Sequence, residues 1–167
     1  MGLTRESVID GLLAKVPYFG WLRVQVDRRG DELTTVLPFA GRLIGNPALP
    51  ALHGGVTAAF LETAAVMELV WTAMGDEGGG VLPADGPEIE LGEGEARAAG
   101  PMPRLPKTID FTIDYLRSGL ARDAYARGRV VRLGRRYASV QVEAWQENRS
   151  RLFAQATGHF LMPQPRG

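Results

Sequence analysis

The sequence predicts an α+β domain in which one long buried helix packs against an antiparallel sheet of about six strands. Two observations predict it. Residues 54 to 73, GGVTAAFLETAAVMELVWTA, are apolar nearly all round, and a soluble protein places such a helix in its core. Six other stretches alternate apolar and polar residues, two before that helix and four after it, as strands with one buried face do. A chain of 167 residues is long enough for one real core and short for two. One domain spanning residues 1–167 is therefore expected.

The elements follow in order. Residues 4 to 15 read TRESVIDGLLAK, with Val8, Ile9, Leu12 and Leu13 at helical spacing, Thr4 placed as an N-cap, and Pro17 as the stop. From Leu22 to Pro38 the runs LRVQVD and ELTTVLPF flank Arg29-Gly30-Asp31, which reads as a hairpin. FAGRLIGNPALPAL, with two prolines and two glycines, is a loop leading into the long helix. Residues 75 to 106 abandon periodicity for Gly, Pro and acid, so a long irregular insertion is expected there, solvated or acting as a lid. The alternating runs 107–117, 121–133, 135–146 and 151–161 supply the last four strands.

The entrance to the long helix holds the chemistry. Residues 52 to 65 read LHGGVTAAFLETAA, which puts His53-Gly54-Gly55 at the mouth of the helix and a carboxylate, Glu62, inside it. Glycine lets another molecule approach the backbone, and the first turn offers N–H groups carrying partial positive charge. Such a turn suits a carbonyl oxygen that becomes negative. Glu62 has Ala58, Ala59, Ala65 and Val66 as helical neighbours, so no cation on its own face neutralises it. An unpaired acid in apolar company points to catalysis, with a structural carboxylate as the alternative. Gly55 and Glu62 are about 10.5 Å apart along a helix, too far to act on one carbonyl. A complete site therefore needs two chains, the Gly55 amide of one beside Glu62 of the other, with two equivalent sites per dimer.

These residues resemble the hotdog-fold acyl-CoA thioesterases of the phenylacetic-acid-degradation (PaaI-like) type, over most of the chain. In that family a helix opening with His-Gly-Gly is wrapped by an antiparallel sheet, and an acid nine residues after the His is nucleophile or general base. His53 plus nine is Glu62. TIDFTIDYLRSG, residues 108 to 119, resembles the family's central strand and its aromatic-Leu-Arg-Pro turn, with Ser118 in the proline's place. GRVVRLGRRYASVQVEAW and RLFAQATGHFLM resemble the last strands, with the Gly134-Arg135 turn, inside the first stretch, where the family has a Gly-Arg turn.

The resemblance implies a thioester hydrolase whose catalytic residues are Glu62, Gly55, His53 and Asn46. His53 is read as positioning the turn, and Asn46 as the family's helper at the thioester oxygen. Asn46 lies seven residues before His53, where relatives have six, and Val66 stands where many relatives carry a water-positioning Ser or Thr. Arg117, Ser118, Arg135 and Arg136 are expected to bind coenzyme A, which is part of the substrate, so no separate cofactor is implied. The acyl group is expected near Phe60 and Leu61. The partner is a second copy of the chain, as a homodimer or a homotetramer.

Composition limits the alternatives. The chain has no cysteine, which removes disulfides, cysteine nucleophiles and thiolate metal sites and agrees with a cytoplasmic location. No cluster has metal-ligand spacing, so no metal is expected. The N-terminus lacks the pattern of a signal peptide, and no membrane association is expected. Net charge is zero, but arginines concentrate from Arg117 to Arg151, a distribution suited to phosphate. Aromatics do not interleave them as a nucleic-acid surface would require. Glu68 lies roughly 240° round the helix from Glu62 and is read as peripheral or structural, and His159 as a satisfied core or edge histidine. The rival reading is a non-catalytic hotdog protein that binds acyl-CoA.

Overall fold

The computed structural model describes residues 4–75, 81–83, 86 and 102–164. Helix α1 (Arg5–Lys15) begins where the sequence places its cap. The Thr4 hydroxyl accepts from the Ser7 amide at 3.2 Å, and the Ser7 hydroxyl accepts from the Thr4 amide at 3.1 Å. Two donors that the helix cannot satisfy are thereby paired. Pro17 does more than stop this helix. It is the first residue of a short helix, α2 (Pro17–Leu22), where its missing N–H is no loss. Six residues are too few to show a period, so the sequence gives no sign of α2.

Strands β1 (Gln25–Arg29) and β2 (Glu32–Leu37) form the expected hairpin, turning at Gly30 with φ of 60°, a conformation that favours glycine. Within the expected loop 39–52, a 3-10 turn (Gly41–Leu43) is followed by strands β3 (Ile44–Asn46) and β4 (Ala51–Leu52), which pair antiparallel. Strands this short carry no readable alternation. Helix α3 (Gly54–Met74) comes next, then β5 (Lys107–Tyr115), β6 (Ala124–Leu133), β7 (Tyr137–Trp145) and β8 (Ala154–Leu161). The expected insertion lies largely outside the described residues.

The main sheet has six antiparallel strands in the order β1-β2-β6-β7-β8-β5. Alternation sets which side faces the helix. On β7, Ala138, Val140, Val142 and Ala144 are buried, and on β8 so are Ala154, Ala156 and Phe160. Alanines at these positions let α3 sit close over β6 and β7, where Phe60, Leu61, Ala64, Met67 and Val70 complete the core. A sheet curled round one long helix is the hotdog fold. By length and hydropathy α3 is comparable to a membrane span, but 67% of its most apolar window is buried inside the fold. Phe60 and Leu61 have 0% exposure, so they belong to the core.

Candidate active site

Three segments meet at the N-terminus of α3. His53 is the N-cap, and its Nδ1 accepts the Gly55 N–H at 2.9 Å. That bond fixes the ring as the tautomer with its proton on Nε2. The His53 amide donates to the Leu43 carbonyl at 2.8 Å, which seats the turn on the loop before it. Gly45 makes that contact possible, since a Cβ there would lie 2.8 Å from His53 Cα. From the far side, the Tyr115 hydroxyl at the end of β5 donates to the Gly54 carbonyl at 2.9 Å.

The expected catalytic residues are thus partly gathered. His53, Gly54 and Gly55 are exposed together at one end of the helix. Asn46 follows Gly45 on the adjoining strand, where its side chain accepts from the Ala48 amide at 3.0 Å and shapes the loop. Glu62 is two turns along α3 on the same stripe as Gly55, Ala58, Ala59 and Val66. That stripe is only half-buried, whereas the rest of the helix core is covered by the sheet. Glu62 has no hydrogen-bond or ion-pair partner among the described residues. The hydroxyl of Thr63, the neighbour able to hold water in place of Val66, is buried and donates to the Ala59 carbonyl at 2.7 Å.

The expected coenzyme A residues divide into two groups. Arg117 and Ser118 line a pocket of about 370 Å³ together with Arg122, Glu147 and Arg151. The pocket adjoins the helix entrance, because the Leu52 amide donates to the Gly119 carbonyl at 2.8 Å. Arg122 is ion-paired with Glu147, whereas Arg117 and Arg151 have no ion pair among the described residues. Arg135 and Arg136 lie at the other end of β7, in the turn from β6, and do not join this group within one protomer. Arg151 and Tyr115 stand at the candidate site, and the sequence reading did not single them out. Their signals were the arginine-rich run and the aromatic residue of the Tyr115-Leu116-Arg117 turn.

Two other groups stand outside the helix entrance. His159 Nδ1 is hydrogen-bonded to the Tyr137 hydroxyl, and its Nε2 is 3.9 Å from Asp110, so it is satisfied, as the sequence reading held. Glu68 packs against β6, where burial pushes its carboxyl up to about 7, opposed by the Thr72 hydroxyl and by Arg127.

The fold defines the class as hotdog. The thioesterase superfamily profile matches residues 49–152, and the chain belongs to that superfamily. None of the curated proteins matches it in sequence. Among solved structures it resembles a protein from Chromobacterium violaceum at 27% identity, with 97% of this chain and 98% of that one covered and a TM-score of 0.60. It also resembles a Bacillus halodurans protein determined with CoA, at 21% identity, 96% and 91% coverage and a TM-score of 0.62. The E. coli PaaI protein matches at 13% identity, 95% and 93% coverage and a TM-score of 0.69. The last two likenesses are of fold.

Proposed function

We propose that the protein is an acyl-CoA thioesterase that works as a homodimer, each site combining the α3 entrance of one chain with Glu62 of the other. The observation that carries this is Glu62, without a partner among the described residues, on a stripe of α3 that its own sheet leaves half-covered. Edge strand β5 supports it. Ile109 and Tyr115 on that strand are 58% and 55% exposed, and an open apolar edge of this kind calls for a partner. Superfamily membership and the CoA held by the Bacillus halodurans relative point to the substrate class.

In this reading the thioester oxygen sits at the positive end of α3 on the Gly55 amide. The oxygen must displace His53 Nδ1 from that amide, and the freed imidazole then keeps its Nε2 proton as a second donor. The partner's Glu62 either attacks the carbonyl carbon, expelling the CoA thiolate and leaving an anhydride for water to hydrolyse, or takes a proton from the attacking water. Arg117 and Arg151, with Ser118 in the same pocket, hold CoA phosphate. The second reading, acyl-CoA binding without turnover, is favoured by two observations: the Gly55 amide is already occupied, and no hydroxyl stands at Val66.

The test is steady-state hydrolysis of short, medium and aromatic acyl-CoAs by wild type, Glu62→Gln, Gly55→Val, and a mixture of the two variants refolded together. Activity should be lost in each variant alone. It should return in the mixture, because a mixed dimer has one site with both defects and one with neither. Binding without hydrolysis in wild type would establish the second reading, and an inactive mixture of dimers would remove the shared site.

A further inference from the structure

At the other end of the sheet from the α3 entrance lies a cavity of about 660 Å³. The end of α1, residues 102–105, the first residue of β5 and the segment following β8 line it. Its walls are mainly apolar, with Leu12, Val16, Met102, Leu105 and Met162 among them. Among the described residues the charged ones lining it are Lys15, Arg104, Lys107 and Arg136, all cations.

The walls are built rather than incidental. Gly11 lets Met102 lie directly on α1, since a Cβ at that position would be 2.7 Å from the Met102 sulfur. The Arg104 guanidinium donates to the Gln164 carbonyl, which ties the segment before β5 to the segment after β8. The Met162 amide donates to the Arg136 carbonyl at 2.9 Å, and the Gln164 side chain donates to the Arg135 carbonyl at 2.5 Å. Both wall segments are therefore held to the sheet and to each other. Lys107 and Arg136 are exposed at the rim and have no ion pair among the described residues.

An apolar chamber with a one-signed rim selects a ligand with an apolar body and a single anionic end. We infer that this cavity binds a long-chain aliphatic carboxylate, its methylenes among Leu12, Leu105 and Met162 and its head toward Lys107 and Arg136. The cavity opens at Lys107, and Tyr115 at the catalytic end of the same strand is roughly 27 Å away at about 3.4 Å per residue. The site is thus separate from the Arg117 pocket of the same protomer, and the inference stands whether or not the protein hydrolyses thioesters.

Isothermal titration of the full chain with dodecanoate, below its micelle concentration, tests this. Saturable binding of one dodecanoate per chain is expected. Binding should weaken by about tenfold or more in the double variant Lys107→Glu/Arg136→Glu, whose exposed positions leave the core intact. Leu161→Trp, which places a larger ring at a lining position, should weaken it by occupying the chamber, and Glu62→Gln should leave it unchanged. Dodecyltrimethylammonium should bind wild type poorly and the charge-reversed variant better. Absence of saturable binding, or equal binding by the charge-reversed variant, would overturn the inference. So would loss of binding in Glu62→Gln, which would place dodecanoate in the thioester site as a product.

Discussion

Helix α3 carries two carboxylates six residues apart, both partly buried, and they face different surroundings. Glu62 is on the stripe that the sheet leaves half-covered, on the same face as the Gly55 turn, with no partner among the described residues. Glu68 faces β6 over Gly128, and burial pushes its carboxyl up to about 7. A perturbed acid is often taken as the mark of an active site. Desolvation against the sheet perturbs Glu68, while the case for Glu62 rests on geometry. The comparison teaches that burial alone shifts a carboxyl without giving it anything to act on.

The largest effect that would sharpen the contrast is catalytic. With the substrate that wild type turns over best, Glu62→Gln should lower kcat by about a thousandfold, in the range for loss of a nucleophile or general base. Glu68→Gln should stay within about threefold of wild type, because a group that touches no substrate contributes nothing specific to the transition state. Equal losses in the two variants, with both folded by circular dichroism, would erase the distinction and make Glu68 part of the chemistry.

The next effect is on packing beneath Glu68. A Cβ at Gly128 would lie 2.6 Å from the Glu68 Cβ and 2.8 Å from its Cγ, closer than side chains tolerate. Gly128→Ala should therefore destabilise the fold by about 1–3 kcal/mol. Glu68→Ala removes the Cγ contact but keeps the Cβ one, so it should recover only part of that cost in the double variant, a departure from additivity expected of neighbours in contact. Chemical denaturation of the two single variants and the double variant measures the coupling. Additive losses would mean that Glu68 does not rest on Gly128.

Much of this was legible in the sequence, and the remainder was hidden for identifiable reasons. The apolar stretch 54–73 and the alternating runs name α3 and the six sheet strands within a few residues, because burial on one face or all faces writes itself as periodicity. His53, Gly55 and Glu62 are legible because cap, turn and acid lie on one continuous helix. Strands β3 and β4 are too short to carry a pattern, and α2 is hidden behind a proline that reads as a stop. The split between Arg117 and the Arg135-Arg136 pair is tertiary: all three belong to one basic run, and only the path of β6 and β7 sends them to opposite ends. Glu68 packs over a glycine sixty residues away in the chain, which no local reading connects to it.

The smallest effect tests the cause of the Glu68 shift through its dependence on pH. The carboxyl stands at about 7 in the folded chain against an ordinary 4.5. Between those values the unfolded chain releases the proton first and the folded chain holds it, so the folded state binds more protons and stability falls as pH rises. Below the window both states are protonated and no penalty exists. Above it both are ionised and the penalty is complete. Glutamine cannot ionise, so Glu68→Gln should match wild type at pH 4 and exceed it at pH 8, by about 1–2 kcal/mol once screening of a partly exposed group is allowed for. Thermal melts of both proteins at the two pH values read the gap. A gap of the same size at pH 4 would show that Glu68→Gln acts through packing, and a gap of opposite sign at pH 8 would show that Arg127 and Thr72 outweigh burial and that Glu68 is held ionised instead.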